Sequence, residues 1–225
     1  MGQRSWAALA LLLALGPASP GTTISGLWGF DEPAATDLGP SGLTGSVGEG
    51  VETGVARDGA IAYRFPDVAP NDPPVRPEHL VTVDDSPGLD PDDGVFAVTL
   101  RFRTTSSPSN IAQKGQRSSD GGYWKVEQDD GIVRCLFMDD QGRGVSASST
   151  GRIDDGGWHT VLCRRTPDDV TMWVDGGSAV RAAGATGTIA NSWPLTIGGK
   201  SRCDQKWVGC DYFSGDVDGL RVEKE

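Results

Sequence analysis

Side chains able to do covalent chemistry are few in this chain, and their spacing favours holding a ligand over transforming one. Only two histidines occur, His79 and His159, so any histidine-based triad must recruit one of them. No Gly-x-Ser-x-Gly elbow is present to lift a serine onto a strained turn. Residues 198–201 (GGKS) end like a phosphate-binding loop, but Pro194 stands where the loop's first glycine must be. The acidic pairs Asp84/Asp85, Asp92/Asp93, Asp129/Asp130, Asp139/Asp140, Asp154/Asp155 and Asp168/Asp169 fall at loop tips, where aspartate makes solvated turns. None of them belongs to a D-x-[DN]-x-[DN]-G calcium loop. No residue is assigned a catalytic role.

The four cysteines are Cys135, Cys163, Cys203 and Cys210. An even count in an exported chain reads as two disulfides, for which three pairings exist. Strand faces favour Cys135–Cys163: Cys135 alternates in phase with Val133 and Phe137, and Cys163 with Val161, so both point to a core. The short segment 203–210 (CDQKWVGC) reads as a loop pinned by Cys203–Cys210. Loop closure contributes about 3.5 kcal/mol for the first pair and about 2.5 kcal/mol for the second. A four-cysteine zinc site is the rival, but neither pair has the short spacing of a zinc knuckle. Paired cysteines also leave no thiol nucleophile.

Aromatic rings beside polar groups are the stronger signal. Trp207 sits inside the Cys203–Cys210 loop next to Asp204 and Gln205, a platform on which an indole is offered among hydrogen-bonding groups. The alternative is that Trp207 folds back over a sheet edge. Tyr123 and Trp124 follow Gly121 and Gly122; being adjacent on a strand they face opposite ways, so one of them is free to meet a ligand. Trp193, in an Asn-Ser-Trp-Pro turn, is a further candidate. Trp28, Trp158 and Trp173 lie within strands and are assigned to packing. The predicted ligand-binding set is therefore Trp207, Asp204, Gln205, Tyr123 and Trp124.

Compartment and charge narrow the partners. Arg4 precedes an apolar run from Trp6 to Leu15, followed by small residues and prolines to Gly21. This is the pattern of a secretory signal peptide over residues 1–20, cleaved after Ala18, Pro20 or nearby. The run is too short to span a bilayer, so no membrane insertion is expected after cleavage and the product is expected to be secreted. The formal charge is −11 and becomes more negative when Arg4 leaves. Duplex nucleic acid needs clustered Lys and Arg, so no nucleic-acid partner is expected.

The elements that must position these residues are strands. Helical periodicity is almost absent, while 32 glycines and 14 prolines punctuate short alternating runs. Strands are expected near 24–30, 60–65, 80–83, 94–103, 109–114, 122–128, 132–138, 145–149, 157–165, 170–175, 178–182, 195–198 and 216–223. In 94–103, Phe96, Val98, Leu100 and Phe102 alternate with Ala97, Thr99, Arg101 and Arg103, the signature of a half-buried antiparallel strand. Residues 31–59 carry few large apolar side chains and many turn formers, and are expected to be a long surface loop or a loose edge. One domain over residues 21–225 is the expected organisation.

Residues 156–177 (GGWHTVLCRRTPDDVTMWVDGG) resemble the paired strands of laminin-G-like, concanavalin-A-like jelly rolls. The resemblance extends to 27–32 (LWGFDE) with 37–42 (DLGPSG), to 96–102 (FAVTLRF), to 195–199 (LTIGG) and to 213–219 (FSGDVDG), which together cover nearly all of the chain after the leader. It implies an all-β, antiparallel two-sheet jelly-roll sandwich. It also implies a non-catalytic binding module with a glycan partner, or else an extracellular protein surface. Some relatives hold a structural calcium ion; the resemblance places Asp37 and Asp218 near such an ion, with Glu32 or Asp216 assisting. The same fold hosts retaining endo-glucanases that carry E-x-D-x-x-E, whose two glutamates act as nucleophile and acid/base. Here the pattern reads Glu127-x-Asp129-x-x-Ile132, so the second carboxylate is missing and that hydrolysis is disfavoured.

Overall fold

The computed structural model describes residues 15–68, 77–117, 119–203 and 209–225. The chain opens with β1 (Thr23–Trp28), β2 (Ser46–Val47), β3 (Glu52–Arg57), β4 (Ala60–Phe65) and β5 (Val81–Val83). Five longer strands follow: β6 (Phe96–Arg103), β7 (Ser109–Lys114), β8 (Tyr123–Asp129), β9 (Ile132–Met138) and β10 (Gly144–Ser148). The chain closes with β11 (His159–Thr166), β12 (Asp169–Val174), β13 (Val180–Ala183), β14 (Leu195–Ile197) and β15 (Gly215–Lys224). They form two antiparallel sheets. The eight-stranded sheet runs β13-β12-β11-β6-β15-β4-β3, with β1 also paired to β15; the seven-stranded sheet runs β10-β9-β8-β7-β14-β5-β2.

Alternation decides what lies between the sheets. Phe96, Val98, Leu100 and Phe102 of β6 are fully buried and meet Trp124, Val126, Val133 and Phe137 of the other sheet in one apolar cluster. The hairpins are set by turn chemistry. Asp130 and Gly131 have positive φ between β8 and β9 and fix the register Asp129↔Ile132 through Tyr123↔Met138. Cys135 of β9 and Cys163 of β11 are buried and bonded, with Cα atoms 5.7 Å apart, so this disulfide ties one sheet to the other. Cys203 and Cys210 form the second bond. Both pairings are those expected, the first from strand faces and the second from the short 203–210 loop.

Two expectations are refined. For residues 31–59 the loose-edge reading holds and the loop reading does not: β2 pairs with β5, and β3, at the edge of the eight-stranded sheet, forms a hairpin with β4 through Asp58 and Gly59, both at positive φ. β3 is exposed on both faces over much of its length, and its ladder shifts between Glu52 and Val55 around Gly54, so it carries no alternating apolar signal. The tryptophans also separate. Trp28 is fully buried, whereas Trp158 and Trp173 are half-buried on the outer face of the eight-stranded sheet, Trp158 beneath the Arg101 guanidinium at 4.6 Å.

Candidate ligand-binding site

A half-open cavity of about 450 Å³ lies against Tyr123 at the start of β8. Register places the Tyr123 ring opposite Met138 on the outer face of the seven-stranded sheet. The remaining wall comes from Arg117, Ser119, Gly122 and Asp140. Burial, reinforced by the Glu127 charge and opposed by Arg117, raises the Tyr123 hydroxyl above the usual tyrosine range, so it is a protonated donor at neutral pH. Asp139 beneath it is spent on structure: its carboxylate accepts the Gln141 and Arg143 backbone amides and pairs with Arg143 Nε at 2.7 Å. Asp140 is exposed on the rim.

The loops around the cavity are locked together. Asn191 Nδ2 donates to the Gly122 carbonyl at 2.9 Å, and Ala190 N donates to the Gly121 carbonyl at the same distance. A Cβ on Gly121 would stand 1.8 Å from the Ala190 oxygen, so this approach requires glycine. The fully buried Lys114 holds the 190–194 turn from below, pairing with Asp90 at 2.7 Å and Asp85 at 2.8 Å and donating to the Asn191 carbonyl. Trp193 then follows, half-buried, with the Arg202 guanidinium 4.6 Å from its ring centroid. Gln116 Nε2 donates to the Arg202 carbonyl at 3.2 Å, which joins this turn to the Tyr123 loop. Beyond Arg202 stands the Cys203–Cys210 disulfide.

Of the predicted ligand-binding set, Tyr123 is on this edge. Trp124 is not available: it is 1% exposed in the core and its indole donates to the Leu89 carbonyl, because the neighbour of an outward residue on a strand must face in. Trp207, Asp204 and Gln205 lie outside the described residues. Arg117, Ser119, Met138, Asp140 and Arg202 were not foreseen; Met138 is the one that a β8–β9 hairpin register would have paired with Tyr123.

The four carboxylates predicted around calcium are not gathered. Asp37 accepts the backbone amides of Leu27 and Gly39 at 2.8 Å and of Leu43 at 3.1 Å, pinning the 37–43 loop to β1. Asp216 pairs with Arg64 at 2.9 Å and lies 3.8 Å from Arg103, while Asp218 pairs with Arg101. Glu32 is an exposed loop residue. Cationic and N–H donors therefore occupy the oxygen atoms a calcium ion needs, and no acidic group able to hold a metal occurs among the described residues. These residues do not fit calcium.

The glucanase positions are equally committed. Glu127 pairs with Lys125 at 2.5 Å and Arg134 at 3.4 Å, and Ile132 closes the hairpin opposite Asp129. His159 lies beside a separate cavity, with Nδ1 2.7 Å from Asp175 and Nε2 3.1 Å from Asp155. Burial lowers its pKa, but hydrogen bonds and charge from Asp175 and Asp155 outweigh this and the net shift is upward. When protonated, the ring donates from both nitrogens and has no lone pair with which to act as a base.

Residues 102–225, more than half of the chain, match the laminin G domain family. A sex hormone-binding globulin from Phodopus sungorus is 27% identical over 105 residues, covering 45% of this chain and 26% of that protein. Among solved structures, the binding domain of Paraclostridial Mosquitocidal Protein 1 superposes with a TM-score of 0.65 at 13% identity, over 89% of this chain and 47% of that one. The binding domain of botulinum neurotoxin serotype G gives a TM-score of 0.60 at 12% identity, with the same coverage. The chain thus spans about a quarter of the curated relative and just under half of each of these structures.

Proposed function

The chain belongs to the laminin G domain family, and on that premise we propose that it is a secreted, non-catalytic binding module whose ligand is a carbohydrate held on the Tyr123–Trp193 edge. The observation that carries this reading is the cavity of about 450 Å³ that sets an aromatic face beside a hydroxyl donor, a guanidinium and a carboxylate. A sugar ring offers C–H faces to an aromatic ring and hydroxyls to polar groups, so it meets both halves of that wall. The Trp193–Arg202 stack extends the same edge with a second aromatic surface. Secretion rests on the leader-like character of residues 1–20. Among the described residues no helix is long and apolar enough to cross a membrane.

The test is a glycan array probed with residues 21–225, alongside Tyr123→Ala and Trp193→Ala, in calcium and in EDTA. Tyr123→Ala is expected to weaken binding about tenfold and Trp193→Ala several-fold, in line with the loss of an aromatic contact. EDTA is expected to leave binding unchanged, because Asp37, Asp216 and Asp218 are already paired and Glu32 stands apart as an exposed loop residue. Binding by neither the parent nor the variants would transfer the assignment to a protein ligand. Loss of binding in EDTA alone would sink the metal-independent site.

A further inference from the structure

Residues 15–22 cross the outer face of the eight-stranded sheet and behave there as a bound peptide. Arg221 and Glu223 project outward from β15, yet both are fully buried. They form an ion pair at 3.1 Å, and the crossing segment supplies hydrogen bonds to both. Arg221 Nη1 donates to the Gly16 carbonyl at 2.8 Å and Nη2 to the Pro17 carbonyl at 2.7 Å. Glu223 Oε1 accepts the Ser19 amide at 3.0 Å. Leu15 is 3% exposed and packs on Leu27 with Ile24 and Leu38. A cavity of about 490 Å³ continues from Leu15, Gly16 and Pro17 to Leu162 and Trp173.

This is a complete set of peptide-recognition contacts: an apolar pocket for one side chain, a guanidinium fork for two successive carbonyls, and a carboxylate for an amide two residues on. The expected leader cleavage, after Ala18 or Pro20, removes the carbonyls that satisfy Arg221. Left open, the fork keeps only Thr99 Oγ1, at 3.3 Å from Nη2, and Glu223 on its Nε side. A charged donor beside apolar surface is costly to leave unpaired.

We propose that this face is a docking site for a short, bent peptide of the form apolar residue–Gly–Pro–small residue–polar residue, which the chain's own residues 15–20 fill until they are removed. The proposal rests on residues 1–20 being a removable leader, and not on the carbohydrate reading, whose site lies on the other sheet.

The test is calorimetric titration of residues 21–225 with the capped hexapeptide LGPASP, which reproduces residues 15–20. Among the described residues every strand and both disulfides lie at or after Thr23, so this chain keeps each described strand of the sandwich. Saturable one-to-one binding is expected, at least tenfold weaker for the peptide carrying Leu15→Asp. Arg221→Lys, which keeps the charge but loses the fork, is expected to weaken binding about tenfold. The peptide arms keep the test decisive if that variant fails to fold. No binding by the parent peptide, or equal binding by both peptides, overturns the proposal. Glycan binding is measured on another site and its loss or survival leaves this outcome separate.

Discussion

The two sheets carry ionic side chains on both outer faces, and they treat them in opposite ways. On the eight-stranded sheet Arg221 and Glu223 are sealed under residues 15–22 and excluded from water. On the seven-stranded sheet Lys125, Glu127 and Arg134 form a comparable cluster that stays half-exposed beside Tyr123. The chemistry of the groups is the same; their covering differs. Taking charges out of water costs several kcal/mol per ion, and only close, well-partnered contacts offset that cost. The covered face therefore leans on the Gly16 and Pro17 carbonyls and the Ser19 amide, which is why it reads as a site already filled. The open face tolerates loosely held charges, because water satisfies the remainder, and it leaves its aromatic ring free for a ligand.

The cross-sheet disulfide is the strongest way to break this arrangement, because it holds the two faces to one interior. Replacing Cys135 and Cys163 by alanine is expected to lower stability by at least about 3.5 kcal/mol, as the 28-residue loop regains its freedom. Removing Cys203–Cys210, which closes only 7 residues and joins no sheets, is expected to cost about 2.5 kcal/mol. Urea denaturation of the two double variants compares them directly. A gap of no more than about 1 kcal/mol would mean that the cross-sheet bond constrains nothing beyond its own loop.

The comparison itself is sharpened by one substitution on each face. Glu223→Ala, in a chain that retains residues 15–20, strands a buried guanidinium and is expected to cost about 3 kcal/mol, toward the low end for a broken buried pair because the Gly16 and Pro17 carbonyls remain. Glu127→Ala is expected to cost about 1 kcal/mol or less, as for a solvated pair. Repeating Glu223→Ala in residues 21–225 should bring its cost down toward that of Glu127→Ala. If it does not, covering by residues 15–22 is not what separates the faces.

How far the sequence could be read follows the same division. β6 and the β11–β12 hairpin were legible because their inner faces alternate cleanly and their turns carry Asp, Gly and Pro. β3 was not, since an edge strand exposed on both faces has no apolar phase to detect. Trp173 was misplaced because alternation sorts side chains between two faces without saying which face is the core. Leu162 and Trp173 lie opposite one another on an outer face bordered by Leu15, so that face looks as apolar as an interior. The partners of Asp37 and Arg221 were illegible for another reason: they are backbone groups, which leave no residue-type signature. Tyr123 was legible because the alternation of faces along a strand is a local register. Arg117, Ser119 and Arg202 come to the same edge through loops with no such register.

The smallest expected effect concerns His159, which stands between the two extremes: its ring is half-buried at one end of the eight-stranded sheet, with carboxylates on both nitrogens. Its folded pKa is raised, so the stability it contributes is fully present below its unfolded value of about 6.5 and is lost as pH rises through the folded value. Asp155 moves the other way: the Gly157 amide and then the His159 hydrogen bond hold its pKa below the usual carboxylate range, so it remains ionised as pH falls toward 5. Thermal denaturation of the parent and of His159→Gln between pH 5 and pH 9 should therefore show a gap that is largest at the acid end and closes toward the alkaline end. The gap should be about 1 kcal/mol or less, because water and salt screen a pair whose partners are partly exposed. It should shrink further in high salt, whereas the cost of Glu223→Ala in the covered chain should not. A His159 gap that grew with pH, or that ignored salt while the Glu223 cost followed it, would reverse the assignment of the screened and the sheltered pair.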